Sequence, residues 1–101
     1  MPYRLTRRAV SDVRGIYRYG RQQFGQNKAD LYHRNLKNIF ELLAANPGLA
    51  RECRETDPPV RVHPFGSHMI ILVEIADGSI TIIRVRHQRE DWTALTTAGS
   101  L

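Results

Sequence analysis

The stretch HMIILVEIADGSITIIRVRH, residues 68–87, decides the fold. Two runs of β-branched and aliphatic residues flank Asp77-Gly78, a pair that accepts left-handed backbone and reverses a chain tightly. The pattern predicts strands over His68–Ile75 and Ile80–His87, joined by a two-residue turn with both central positions left-handed. Just upstream, Val60–Phe65 reads as another strand, leading through Gly66-Ser67 into the first of these. Successive side chains of a strand alternate between its faces. Ile80, Ile82, Arg84 and Arg86 therefore belong to one face, and Thr81, Ile83, Val85 and His87 to the other. Arg84 and Arg86 project together, while His87 closes the strand and can turn either way.

Farther upstream the period lengthens from two residues to helical steps. Tyr3-Arg4-Leu5 reads as a short opening strand, after which the Thr6 hydroxyl can cap a helix. Ala9, Val10, Val13, Ile16, Tyr17, Gly20 and Phe24 line one face of that helix, with Arg7, Arg14, Arg18 and Arg21 on another. Gly25 ends it. Asn27, with Asp30 three residues on, caps a second helix with a core stripe of Ala29, Tyr32, Leu36, Ile39, Phe40 and Leu43. Leu31, Asn35, Asn38 and Leu42 form a lesser stripe, suited either to flanking the core or to receiving a partner helix. Asn46-Pro47-Gly48 terminates the helix, and residues 49–59 read as a polar connection without periodicity. Helices so closely joined fold back as an antiparallel hairpin. The expected architecture is α+β, in the order β-α-α-β-β-β: a small, mainly antiparallel sheet with an N-terminal helical hairpin packed on one face.

A chain of 101 residues has room for one core, expected over residues 1–95, with 96–101 a frayed tail. Its longest apolar run, Met69–Val73, falls far short of the roughly 20 residues that cross a bilayer. Near the N-terminus, charges arrive before any apolar run of the kind a secretion signal needs. Cys53 stands alone, which excludes an internal disulfide and a multi-cysteine metal site. These features point to a cytoplasmic protein without a membrane partner. Its charge is uneven. Residues 1–25 hold six arginines against Asp12 alone, which matches the whole net charge of +5. Arginine dominates the basic residues, and its planar fork pairs with carboxylates and phosphates. An acidic partner is expected, protein and nucleic acid being equally compatible.

Metal-independent RNA cleavage would need a base, phosphate-holding cations and an acid. Arg61, His63, His68, Arg84, Arg86 and His87 are the candidates, but no clear acid–base pair stands among them and the central strand offers only Met69-Ile70-Ile71-Leu72-Val73. No catalytic residue is expected. His63 and His68 flank a turn and could face each other, yet nothing nearby supplies further zinc ligands, so neither metal nor cofactor is expected. Cys53 reads as an exposed thiol in a polar loop, with no adjacent base. The better cluster is a binding one. Arg84, Arg86, His87 and Arg89, with Arg61 on a neighbouring strand, make a rigid cationic platform on a sheet face that the helices leave open. Trp92 follows, either packing over the sheet edge or anchoring an interface.

Specific motifs then carry a resemblance. The run from Ala9 to Tyr19, with Asp12 before an aliphatic residue and Ile16 beside Tyr17, resembles the ParE pattern of the RelE/ParE toxins. Phe24-Gly25, then Ala29, Tyr32 and Leu36, and Asn46-Pro47-Gly48 continue it. Arg84-Val85-Arg86-His87-Gln88-Arg89-Glu90-Asp91 is similar to that family's RV-x-H-x-R-x-D ending, so that the likeness extends over roughly residues 3–92. It implies a RelE/ParE-like fold and a toxin of a type II toxin–antitoxin system that binds DNA gyrase and is masked by a ParD-like antitoxin. Sequence-specific nucleic-acid binding is not implied. Target contacts would fall to Arg61, Arg84, Arg86, His87, Arg89 and Trp92, and antitoxin contacts to Arg14, Arg18, Arg21, Leu31, Asn35, Asn38 and Leu42. A RelE-like ribosome-dependent ribonuclease is the alternative, and a member that has lost toxicity while keeping its antitoxin is a third.

Overall fold

Residues 3–56 and 59–89 are described by the computed structural model of the chain. Their elements are β1 (Tyr3–Leu5), α1 (Arg7–Phe24), α2 (Gln26–Ala45), a 3-10 turn (Pro47–Leu49), β2 (Arg51–Cys53), β3 (Val60–Phe65), β4 (His68–Glu74) and β5 (Ile80–His87). The strands form one sheet in the order β1-β5-β4-β3-β2. Neighbours from β2 to β5 run antiparallel, whereas β1 lies parallel to β5, with Tyr3 opposite Ile80 and Leu5 opposite Ile82. The first strand therefore pairs with the last.

Apolar periodicity turns directly into packing. Ala9 and Val13 of α1 and Leu36, Phe40 and Leu43 of α2 close over Ile70, Leu72, Ile80, Ile82 and Val85. Full burial of each Val, Leu, Ile or Phe side chain among them contributes about 1.5–3 kcal/mol. A second apolar cluster unites Cys53, Val60, Val62, Ile71 and Ile83, with Met69 and Val73 packed against it. Thr6 is the expected cap, its hydroxyl oxygen accepting from the Ala9 N–H at 3.1 Å. Gly25, at φ 90°, serves both helices at once as the end of α1 and the residue before α2. Asn27 therefore lies inside α2 and caps nothing.

Several expectations need correction. The connection after α2 contains the 3-10 turn and β2, whose Cys53 pairs with Val60 and is buried, so it is no surface thiol. Three residues are too few for alternation to show. The β4–β5 loop has three residues and not two. The Gly78 N–H donates to the Ile75 carbonyl, the Ile75 N–H donates to the Ser79 carbonyl, and Gly78 sits at φ 87°. Asp77 accepts from the Ser79 hydroxyl and backbone N–H, which hold its carboxyl below its ordinary range. At the other hairpin Phe65 faces His68 across Gly66-Ser67, and His63 faces Ile70, so the two histidines are not opposed. Gly66 has φ 55°, and a Cβ there would run into the Tyr32 ring.

The most consequential correction is in β5. Leu72 pairs with Ile82 but Ile71 pairs with Arg84, which leaves Ile83 as an extra residue. This bulge changes the phase of the strand. Val85 joins Ile80 and Ile82 beneath the helices, where strict alternation had placed it on the other face.

Candidate functional site

Beyond Ile82, β5 has no β1 residue beside it, and its outer edge must find other partners. The start of α1 supplies them. The Thr6 hydroxyl donates to the Ile83 carbonyl at 2.8 Å, and Asp12 Oδ2 accepts the Val85 N–H at 3.0 Å. The same carboxylate receives Arg84 through Nε at 2.8 Å and Nη2 at 3.2 Å, and Arg86 through Nη1 at 3.0 Å. Exposure is only 7% for the Asp12 side chain, 12% for Arg84 and 27% for Arg86. The expected open platform is thus absent at its centre. Arg84 and Arg86 do project together, but onto a carboxylate of α1, because β1 stops short and the helix seals the remaining edge.

Arg61 is engaged as well. Its Nε lies 2.6 Å from Glu74 Oε1 and its Nη1 donates to the Ala50 carbonyl at 2.8 Å, which ties β3 to β4 and to the chain entering β2. At the far end of β5, His87 stands opposite His68 with ring centroids 5.7 Å apart. The Tyr32 hydroxyl donates to the Phe65 carbonyl and lies 2.8 Å from His68 Nδ1. The Arg89 N–H donates to His87 Nδ1, while the Arg89 side chain is exposed. Gln88 locks this end to the β3–β4 turn by donating to the Gly66 and His68 carbonyls. Trp92 lies outside the described residues. No group of three or more metal-ligating side chains occurs among the described residues.

The helical hairpin presents two other surfaces. Arg14, Arg18 and Arg21 of α1 and Arg34 and Lys37 of α2 rim a shallow bowl that also holds Tyr17, Asp30 and His33, and Arg7 continues the row along α1. Asp30 accepts a hydrogen bond from the Tyr17 hydroxyl, which with partial desolvation raises the phenol above its ordinary pKa. Leu31 and Leu42 are 52% and 47% exposed, and Asn35 and Asn38 are exposed beside them, so this stripe faces outward and does not flank the core.

An apolar groove of about 260 Å³, which residue spacing did not reveal, opens between α1, α2 and the β3–β4 turn. Val13, Ile16, Gly20, Tyr32 and Leu36 line it, with Phe24 at 62% exposure on its lip. Helical period had assigned Phe24 to the core stripe, but it stands exposed on the groove that Ser67 and His68 also line. Asp12 was the other omission, noticed only as part of a motif. The signal was available: it is the one acid among six arginines in the first 25 residues.

Comparison with known proteins gives a consistent result. The family model for the ParE toxin of type II toxin–antitoxin system, parDE, matches residues 3–92. Toxin ParE1 of Mycobacterium tuberculosis (strain ATCC 25618 / H37Rv) is 33% identical over 89 residues, covering 88% of this chain and 91% of its own length. Toxin ParE1 of Caulobacter vibrioides is 34% identical over 87 residues, 86% of this chain and 88% of that one. A chain of a chromosomal ParDE TA system from P. aeruginosa superposes with a TM-score of 0.68 at 23% identity, covering 86% of this chain and 95% of that chain, a likeness of fold.

Proposed function

The chain belongs to the ParE toxins of parDE type II toxin–antitoxin systems, and from that premise we propose that it arrests growth by occupying DNA gyrase until a ParD-like antitoxin covers it. Inhibition of this kind makes and breaks no bond. The observation that carries the reading is the Asp12 clamp. Cations that would hold a scissile phosphate, Arg84 and Arg86, are bonded to a carboxylate inside the fold, and Arg61 is bonded to Glu74. Contact with the target falls to the rim where β5 ends, at His87 and Arg89, with Trp92 following in sequence. The antitoxin covers the apolar side of the hairpin, at the groove and the Leu31–Leu42 stripe, since an amphipathic helix needs such seams.

Purified protein in a gyrase supercoiling assay tests the proposal. Dose-dependent inhibition is expected, weakened by Arg89→Glu and reversed by an equimolar ParD-like antitoxin. Undisturbed supercoiling together with ribosome-dependent cleavage of messenger RNA would move the protein to the ribonuclease reading.

A further inference from the structure

We propose that the outer face of the helical hairpin binds the phosphate backbone of duplex DNA without reading its sequence. The face consists of Arg7, Arg14, Arg18 and Arg21 of α1 with Arg34 and Lys37 of α2, all exposed. At 3.6 residues per turn the four α1 arginines fall within an arc of about 60° and extend over about 21 Å of helix. A duplex presents roughly a dozen phosphate charges over that length. No carboxylate among the described residues forms an ion pair with any of the six, although Arg61, Arg84 and Arg86 each have one. The bowl's one acid, Asp30, accepts a hydrogen bond from Tyr17.

This arrangement works against the helix that carries it. Arg14 and Arg18 are four residues apart and Arg18 and Arg21 three apart, spacings at which like charges repel. Arg7 and Arg8 occupy the first turn of α1, which holds no acid, so cations sit at the positive end of the helix dipole. The single acid of α1, Asp12, is turned to β5. Solubility alone asks for interspersed signs, not a one-sign row. Phosphate suits this face better than an acidic peptide does. Protein partners are held by apolar and aromatic side chains in a desolvated centre, with charge kept to the rim. Here five cations surround only the half-buried Tyr17 and His33 with Asp30, and the exposed apolar side chains Leu31, Leu42 and Phe24 belong to other surfaces. DNA interfaces, by contrast, are strongly cationic, and arginine forks fit phosphate oxygens.

Fluorescence anisotropy of the full chain with two duplexes of unrelated sequence, across a salt series, tests this. Both duplexes should bind equally, with a log–log salt slope of about −5 for six contacts, or a loss of about 10³-fold between 50 and 200 mM. Arg18→Glu should weaken binding at least tenfold and flatten the slope by about 1, whereas Arg18→Lys, which keeps the charge, should bind nearly as wild type. Arg54→Glu makes the same change in net charge at a distant, 82% exposed side chain and should change affinity less than about twofold. Circular dichroism of each variant establishes that it is folded. Equal losses in Arg18→Glu and Arg54→Glu would reduce the effect to overall charge and overturn the proposal. So would a strong preference between the duplexes, no binding at low salt, or tighter capture of a polyglutamate peptide, which would give the face to an acidic protein.

Discussion

Arg84 and Arg18 are the same side chain in opposite circumstances. Arg84 comes from a strand edge, is 12% exposed, and gives two hydrogen bonds to a carboxylate that also holds Arg86 and the Val85 N–H. Arg18 stands on the outer side of α1, exposed and with neighbours of its own sign. The strand cluster resembled a binding platform in sequence yet fastens the fold, while the helical row, expected to meet an acidic partner, holds charge with no carboxylate paired to it among the described residues. A guanidinium becomes a contact for a partner only when the protein's own carboxylates are out of reach.

The largest expected effect is at the clamp. Asp12→Ala leaves Arg84 partly buried without its counter-ion and should cost about 3–5 kcal/mol, read as a lowered urea midpoint. A loss below about 1 kcal/mol would show that the cluster is solvated and would erase the contrast between the two regions. Arg84→Ala should cost about 1.5–3 kcal/mol, and Arg86→Ala, at a more exposed side chain, about 1 kcal/mol or less. A reversed order would mean that Arg86 is the principal partner of Asp12. On the hairpin, Arg14→Ala combined with Arg18→Ala should leave stability within about 0.5 kcal/mol in the same melt, since no ion pair is lost. The smallest effect is at Tyr17. Its raised phenol pKa means that the Asp30 hydrogen bond contributes below the ordinary value of 10.0 and is lost as pH rises through the folded-state value. Alkaline absorbance titration of Tyr17→Phe should therefore lack one late-ionising phenol; an unchanged late phase would assign that phase to Tyr3, which burial and Glu41 also raise.

What the sequence made legible depended on range. Thr6, Gly25 and the stripe ending in Leu36, Phe40 and Leu43 reported α1 and α2 because a helix is fixed by residues within a few positions of one another. The boundaries of β3 and β5 followed from turn residues and β-branched runs for the same reason. The Ile83 bulge left no trace, since Ile82 and Ile83 are equally apolar and either phase satisfies the hydrophobic pattern. β2 was invisible because Arg51-Glu52-Cys53 is too short to alternate. The candidate site was least legible of all. The partner of Arg84 is 72 residues away, and only the parallel pairing of β1 with β5 brings Asp12 to it. The expectations for Trp92 and for residues 96–101 lie outside the described residues.

That parallel pairing sets the order in which the molecule can be made. Thr6 meets Ile83 across 77 positions, and among the described residues β1 has no other strand beside it. During translation the helices can coil early, because their contacts are local, but the sheet they cover is missing its closing members until the last strand emerges. Shape arrives late and cooperatively, and refolding after dilution from denaturant must close the same long loop before its contacts stabilise anything.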